Sequence, residues 1–299
     1  MRASIRFARA VVIGSGLWRP RMRTGPGDHA LAAHRRAGGR LPVGRETACR
    51  TLVAGALSLL GCVAAQGGAW TPERGDGVVI VTSVFSGAAK GFDAEGRLQP
   101  LPEYRKFELS AYLEYGLTDR LTGVVHSAAR IETQDREVQT TAVDGIGLRA
   151  RVAGTDRLVV SAELTGYSPG LDRNGLWVTS EPAAVEARAL LGYAFAVHGR
   201  PAFLDVQGAY RLSAGGEDDE IHIDVTAGLK PAPRWLLMAQ SFTTLSAGKA
   251  ADYRYHKLQA SAVCWLTPRH GVQAGIGGTL DGVAALQERT VFAAFWYRF

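Results

Sequence analysis

Long apolar runs are missing from this sequence. Nowhere in the body of the chain do the roughly 18 consecutive apolar residues of a membrane helix occur. Stretches with the 3.6-residue period of an amphipathic helix are missing as well. The hydrophobic content is nevertheless an ordinary 46%, and glycine is abundant at 36 residues. Any membrane span must therefore be built from β-strands.

A basic surplus is also missing once the N-terminal part is set aside. The formal charge of +6 arises because residues 1–50 hold eleven Arg against only Asp28 and Glu46. From Gln66 onward there are 23 basic and 26 acidic residues, so this part of the chain has no excess positive charge with which to attract phosphate groups. We therefore expect no nucleic-acid partner.

Residues 44–65 have the order of a secretory signal peptide. Arg45 and Arg50 supply positive charge, residues 51–60 are a short apolar run, and Val63-Ala64-Ala65 offers small residues before a cleavage site. The apolar run is too short to stay in a membrane as an anchor. Cleavage here would leave Cys264 as the single cysteine, which excludes an intramolecular disulfide. An alternative is acylation of Cys62, because Leu59-Leu60-Gly61-Cys62 faintly resembles a lipoprotein signal.

Residues 1–43 are rich in Arg, Gly and Pro and have no periodicity. We interpret them as a disordered extension, or as the product of a start codon chosen too far upstream. The segment Val11 to Gly16 resembles the opening of a dinucleotide-binding fingerprint, but Arg19 replaces its third glycine and Pro20 interrupts the helix that the motif requires. The sequence therefore predicts no cofactor.

From Gly77 onward the chain consists of runs with period-two alternation, separated by turn residues. In 106–115, for example, five apolar residues from Phe107 to Tyr115 alternate with five polar or aromatic residues from Lys106 to Glu114. Successive side chains of a strand point to opposite faces, so one face of such a run is apolar and the other is charged. This pattern is typical of a transmembrane barrel. A secreted β-sandwich, the alternative, would also alternate.

Twelve such runs are predicted, and the connectors between them alternate in length. We expect strands at about 77–87, 104–116, 121–132, 139–153, 157–167, 184–197, 202–213, 220–229, 234–246, 253–266, 270–280 and 288–299. Short connectors alternate with equal or longer ones, of which 88–103 and 168–183 are the longest. Such alternation is typical of periplasmic turns and external loops. The sequence therefore predicts one all-β domain over 66–299, an antiparallel barrel with both termini in the periplasm.

Aromatic residues lie beside the short connectors and at the C-terminus. Rings at a membrane interface form girdles, and five residues are candidates for one: Tyr115, Tyr193, Trp235, Trp265 and Phe299. The last strand ends with Phe295, Tyr297 and Phe299 on one face. This ending resembles the signal that the barrel assembly machinery of the outer membrane recognises, which predicts an outer-membrane location in a Gram-negative bacterium.

Charged residues opposite the apolar stripe must face the lumen rather than lipid. We expect the following side chains to point inward and to set the selectivity of a channel: Lys106, Glu108, Glu114, Arg149, Arg151, Glu163, Glu186, Arg188, Asp205, Arg211, Asp224 and Lys257. Because their signs are mixed, they form either a polar conduit or a closed, salt-bridged interior.

Catalytic and metal-binding residues are not expected. His126 and Ser127 are adjacent on one strand, so their side chains point to opposite faces and cannot form a dyad. The acidic run Glu217 to Glu220 has ligands for Ca²⁺, but a solvated acidic loop is the commoner explanation of such a run. The sequence therefore predicts neither an enzyme nor a metal site.

Two segments carry a resemblance to known families. Glu103 to Glu108 (EYRKFE) and Glu114 to Thr122 (EYGLTDRLT) resemble outer-membrane proteins known as phenol meta-pathway transporters, and are still more similar to an alpha-proteobacterial set labelled XagA. The resemblance extends from about Gly68 to the end of the chain. It implies passage of a hydrophobic or aromatic compound in one family and a link to exopolysaccharide in the other, and it supplies no catalytic motif.

The sequence thus predicts an outer-membrane channel or export conduit for a small hydrophobic or aromatic solute or for exopolysaccharide. The alternative is a non-conducting barrel that is structural or binds polysaccharide at its external segments. The partners expected are outer-membrane lipids, lipopolysaccharide and the barrel assembly machinery.

Overall fold

Twelve long antiparallel strands form a closed barrel in the computed structural model, which describes residues 68–134, 137–169, 178–180, 183–214, 218–247 and 253–299. Strand bounds, including two short segments, are β1 (Gly77–Phe92), β2 (Leu98–Thr118), β3 (Leu121–Gln134), β4 (Glu137–Gly154), β5 (Leu158–Pro169), β6 (Val178–Ser180), β7 (Ala184–Val197), β8 (Arg200–Ser213), β9 (Glu220–Ala232), β10 (Trp235–Ser246), β11 (Arg254–Trp265), β12 (His270–Val283), β13 (Ala285–Leu286) and β14 (Arg289–Arg298). All twelve predicted strands are confirmed. The predicted extension 1–43 and signal 44–65 lie outside the described residues.

The barrel closes because β1 pairs with β2 on one side and with β14 on the other. Each of the remaining long strands pairs with the strand that follows it in the chain, except that β5 pairs with β7 and β12 pairs with β14. The segment β6 pairs in parallel with β4, and β13 adds two residues beside β1. One sheet that closes on itself has no free edge, which rules out the two-sheet sandwich.

Five connectors of two to four residues and the C-terminus share one end of the barrel, here called the turn end; at the opposite end, the loop end, the connectors between long strands are longer, except for the two residues between β3 and β4. One two-residue connector of this end is His198-Gly199, whose positive φ values of 48° and 74° fit a hairpin turn. Val197 and Arg200 flank it as a pair. Among the described residues, no helix is long and apolar enough to cross a membrane.

The outer face is apolar around the whole wall, as predicted. Large exposed side chains include Phe85, Ile146, Leu164, Val291 and Ile276, each more than half exposed. On the predicted run 106–115 the odd-numbered residues from Phe107 to Tyr115 point outward, and the even-numbered residues from Lys106 to Glu114 point inward. Water would have to hydrate this belt in a soluble protein, whereas lipid covers it at no such cost.

The structure differs from the predicted loop at 88–103. Here β1 continues to Phe92 and β2 begins at Leu98, so only 93–97 connects them. β3 first pairs with β2 at Tyr104, so residues 98–100, which include Pro100, pair with β1 alone, and Pro102 lies in the irregularity between Pro100 and Tyr104. Proline is tolerated on such an edge because no second neighbour requires its missing N–H. Of the predicted loop 168–183, residues 170–177 and 181–182 lie outside the described residues.

One member of the predicted aromatic girdle is also misplaced. Tyr115, Tyr193, Trp235 and Phe299 are exposed at the turn end, and Tyr115 stacks on Phe299 with ring centroids 6.1 Å apart. Trp265 instead points inward and is buried, with the guanidinium carbon of Arg298 3.5 Å from its ring centroid. Proximity to a turn does not fix the face of a residue, since only the pairing register does so.

Candidate functional site

The barrel lumen is the candidate site. It holds a cavity of about 400 Å³ that is lined by residues from nearly every strand. Its wall has two chemically different halves. Most of the lining charges lie on β2 to β9, the charged half, whereas the remaining part, the apolar half, presents apolar side chains from β1, β10 and β14 beside polar ones from β11 and β12.

Most of the charges predicted to point inward do lie inside the barrel. Buried residues of this set are Lys106, Glu108, Glu114, Arg149, Glu163, Glu186, Asp205 and Arg211. Arg188, Asp224 and Lys257 are slightly more exposed and line the cavity. Arg151 has the same parity as Arg149 on β4 but lies two residues nearer the turn end, where it is half-buried and is not among the residues that line this cavity. Whether these charges set selectivity stays a prediction.

Arg149 is the centre of one ion network at the charged half. Its Nη1 donates to Glu114 Oε1 at 2.6 Å, and its Nε donates to Glu163 Oε2 at 2.8 Å. Its Nη2 donates to the Tyr112 hydroxyl at 2.9 Å, and that hydroxyl donates to Glu114. The register fixes this arrangement, since Arg149 and Glu163 are directly opposite on β4 and β5.

Arg188 is the centre of a second network, on β7 to β9. Its Nη1 lies 2.6 Å from Asp224 Oδ2 and donates to Gln207 Oε1 at 2.8 Å, while its Nη2 lies 2.8 Å from Glu186 Oε1. Gln207 then donates to Asp205 Oδ1 at 2.6 Å. Hydrogen-bonded networks of this kind hold their members in one geometry when the groups are buried.

A third group lies toward the loop end. The ammonium groups of Lys257 and Lys106 lie 3.0 Å and 3.5 Å from Glu288 Oε2, and Arg130 pairs with Glu108 at 3.2 Å. Glu288 belongs to the connection outside the strands. Burial by itself raises the pKa of Glu288, but the two ammonium groups outweigh burial and lower that pKa to about 2. The carboxylate is therefore charged throughout the physiological pH range.

The N-terminal segment enters the lumen at the turn end. Ala69 is fully buried, its N–H donates to Asp205 Oδ2 at 2.7 Å, and its carbonyl accepts from Ser161. Trp70 packs edge-on against Phe203 with ring centroids 5.8 Å apart. A Cβ at Gly192 would lie 2.6 Å from the Trp70 ring, so only glycine leaves room there. Residues 68–70 therefore narrow the lumen from inside.

The apolar half of the lumen differs from the expectation that inward faces are ionic. Inward-facing apolar residues that line the cavity there are Ile80, Val84, Met238, Phe242, Phe292 and Trp296. Trp296 donates its indole N–H to Gln273 Oε1 at 2.8 Å, which satisfies its polar edge. The lumen is thus amphipathic across its width.

The residues considered as catalytic or metal-binding candidates contact aromatic rings, hydroxyl groups or backbone amides. His126 points inward between Tyr112 and Tyr167, with ring centroids 5.0 Å and 6.0 Å away, whereas Ser127 lies on the outward-facing side. In the acidic run, Asp219 accepts hydrogen bonds from the Tyr210 hydroxyl and the Ser213 N–H, each at 3.0 Å. Glu217 lies outside the described residues. No group of three or more metal-ligating side chains occurs in the described ranges.

Several residues that face the lumen were not identified from the sequence. Tyr112 alternates with the acidic residues of β2, so its inward direction was visible in the periodicity, although its bond to Arg149 was not. Glu288 directly precedes β14 and lies beyond its alternating part. Ala69 and Trp70 lie ahead of the first strand, where no pattern indicates their position.

Similarity to known proteins appears at the level of fold. No protein-family model matches the chain, and no curated protein matches its sequence. An outer-membrane channel from Pseudomonas putida F1 has a TM-score of 0.62 at 13% identity, covering 78% of this chain and 98% of its own. The NanC porin has a TM-score of 0.48 at 8% identity, covering 73% of this chain and 98% of its own. The closed barrel therefore shares its fold with a solved outer-membrane channel, and its apolar outer belt is a surface that lipid can cover.

Proposed function

We propose that the protein is an outer-membrane channel for a small amphipathic solute, such as a hydrophobic or aromatic compound with a polar group. The observation that carries this proposal is the two-sided lumen. Phe242 and Phe292 face the cavity from one half, and Arg188 and Glu163 face it from the other. Such a wall can contact both parts of an amphipathic molecule at once, as ligand cavities commonly do.

The size of the lumen favours a small solute over exopolysaccharide. A cavity of about 400 Å³ is at the lower end of the range for small-molecule sites. The seated residues Ala69 and Trp70 narrow the passage further. Of the two families that the sequence resembles, the geometry thus favours the aromatic-compound transporters over the exopolysaccharide-linked XagA set.

The proposal includes an orientation and an assembly route. We infer that the turn end, with the C-terminus, faces the periplasm and that the loop end faces outward, because short connectors are periplasmic in outer-membrane barrels. Phe295 and Phe299 point outward on β14, where the barrel assembly machinery could read them before the barrel closes. Passage of a solute through such a channel would require neither a cofactor nor an enzymatic activity.

Uptake by proteoliposomes tests the proposal. Vesicles containing the folded barrel should admit phenyl β-glucoside faster than glucose, relative to protein-free vesicles, since neither sugar crosses lipid readily by itself. Replacing Phe242 and Phe292 by Ser should remove this preference, because the apolar half then becomes polar. The matched control is Phe85→Ser with Val291→Ser on the outer face, which should leave the preference unchanged. Equal rates for both solutes in the wild type would contradict the proposed substrate class.

A non-conducting barrel is the second candidate, and the seated N-terminal segment favours it. Ion networks and residues 68–70 fill much of the lumen, as a structural or polysaccharide-binding barrel would require. Planar-bilayer recordings separate the two candidates. A folded barrel with no conductance and no solute uptake would support the second.

A further inference from the structure

The outer surface carries two arginines at one level, just beyond the apolar belt. Arg105 on β2 is opposite Gly87 on β1, and Gly87 is opposite Arg289 on β14. Both arginines are exposed and lie on the outward-facing side of their strands. Two interstrand steps separate their backbones by about 10 Å.

The belt beneath these arginines approaches the height of the apolar band of an outer-membrane barrel, which is about 25 Å. On β2 the outward residues from Phe107 to Tyr115 are apolar or aromatic, and on β14 the same holds from Val291 to Phe299. Each series spans roughly 27 Å along its strand, which a tilt of 35–45° reduces to about 20 Å of height. The arginines therefore lie at the membrane interface on the loop side, where lipid phosphates lie.

Gly87 leaves the space between the two arginines open. A Cβ at Gly87 would have only the Tyr104 carbonyl near it, at 3.5 Å, so no side chain separates the two guanidinium groups on this face. Directly below, Phe85 is 57% exposed and contacts Phe107 with ring centroids 6.0 Å apart. A cationic pair thus stands over an exposed apolar and aromatic surface.

Arg105 is oriented by Glu103. Its Nε and Nη2 lie 2.9 Å and 2.8 Å from Glu103 Oε1, and both side chains are about two-thirds exposed. An exposed pair of this kind is worth little in free energy, so it can share its guanidinium with an anion. Arginine is suited to such a role because its planar fork binds phosphate oxygens in pairs.

We propose that Arg105 and Arg289 form a binding site for the bisphosphorylated glycolipid of the outer leaflet, the lipid A part of lipopolysaccharide. The two guanidinium groups bind its phosphates, and the acyl chains lie on Phe85, Phe107 and Val291. Two arginines whose backbones are about 10 Å apart suit a headgroup with two separated phosphates better than one with a single phosphate. The site rests on the proposed outward orientation of the loop end and is independent of transport.

Native mass spectrometry of the folded barrel, released from detergent with added lipid, tests the site. Bisphosphorylated lipid A should be retained, and Arg105→Gln with Arg289→Gln should weaken its binding by at least tenfold. The control is Arg97→Gln with Arg254→Gln, which removes two exposed arginines of the loop end outside this site and should leave binding unchanged. Heat-modifiable gel migration verifies that every variant is folded.

Two comparison lipids complete the test. Monophosphorylated lipid A should bind several-fold more weakly than the bisphosphorylated form, and phosphatidylglycerol should bind no better to the wild type than to the double variant. Unchanged lipid A binding in the double variant would overturn the proposal. Equal retention of phosphatidylglycerol and lipid A would overturn it too, because the site would then be a general anionic-lipid contact. Conductance in lipid-A-free bilayers should be the same for wild type and double variant, so this test does not depend on the channel proposal.

Discussion

Arg149 contacts a single carboxylate oxygen of Glu163 through two nitrogens, with Nε and Nη2 at 2.8 Å and 2.7 Å from Oε2. Both side chains are at least nine-tenths buried, and Glu114 completes the shell at 2.6 Å. One guanidinium thus compensates two carboxylates inside the barrel. Its removal leaves these negative charges close together, without their main counter-ion.

We expect Arg149→Gln to destabilise the folded barrel by about 3–5 kcal/mol, the usual cost of removing one partner of a buried ion pair. Urea unfolding in detergent or lipid vesicles measures this. Adding Glu163→Gln should recover part of the loss, because only one of the two acidic groups then remains. Arg97→Gln, in an exposed pair with Asp93 on the loop-end hairpin, is the control and should not move the unfolding midpoint. Equal midpoints for Arg149→Gln and wild type would contradict this account.

Lys106 offers a test of ion selectivity, because its replacement leaves the ion pair between Lys257 and Glu288 in place. In Lys106→Gln, Glu288 keeps Lys257 at 3.0 Å, so the lumen loses one positive charge and no carboxylate is left alone. A unit charge acts on a passing ion with about 1 kcal/mol at 4 Å in water, or roughly a fivefold change in permeability ratio. The ratio of cation to anion permeability, obtained from reversal potentials in planar bilayers, should therefore rise by up to about fivefold. Lys90→Gln, which is exposed on β1, is the control, and an unshifted potential in Lys106→Gln would reject a role in selectivity.

Trp70 offers a test of the seated N-terminal segment. Trp70→Ala removes the ring that contacts Phe203 and fills the space above Gly192, so single-channel conductance should rise. Gly192→Val should act similarly, because its side chain would collide with the Trp70 ring. Trp235→Ala removes an exposed tryptophan at the same end and should leave conductance at the wild-type value. If Trp70→Ala conducts no better than Trp235→Ala, the segment does not limit passage.

Alternation predicted the barrel because half of every strand faces lipid, and that half must be apolar whatever the lumen contains. The run 234–246 alternated poorly and is still a strand. On β10 the inward Met238 and Phe242 are apolar, whereas the outward Ser241 and Thr243 are polar, so both faces of this strand weaken the period of two.

Contacts across the lumen could not be predicted in this way. The sequence indicated that Glu163 and Arg188 point inward, but which charges meet depends on the shear of the barrel and on bulges such as that between Arg151 and Ala153. Ala69 reaches Asp205 through a segment with no periodicity at all. The alternating pattern of each strand therefore predicts which side chains point inward, whereas their partners depend on how the strands pair in the closed barrel.

The pKa of Glu288 predicts how stability depends on pH. In the folded barrel Lys257 and Lys106 lower this pKa to about 2, whereas an unfolded chain has about 4.3. A depressed pKa contributes stability that is complete above the unfolded value and is lost as the pH falls through the folded value. Unfolding midpoints should therefore fall between about pH 5 and pH 2. In Glu288→Gln this part of the fall should be smaller, and an identical pH profile for both proteins would contradict the assignment.

Orientation can be measured with single cysteines in a Cys264→Ser background. Glu95→Cys lies in the β1–β2 connection at the loop end, where the native side chain is 64% exposed, and Asp156→Cys lies in the exposed β4–β5 turn. Because short turns are periplasmic in outer-membrane barrels, a membrane-impermeant maleimide should label intact cells at Glu95→Cys only. Permeabilised cells should be labelled at both positions, which verifies that each cysteine is reactive. Labelling of Asp156→Cys alone in intact cells would reverse the orientation, and Arg105 and Arg289 would then face the periplasmic leaflet, which excludes lipid A as their ligand.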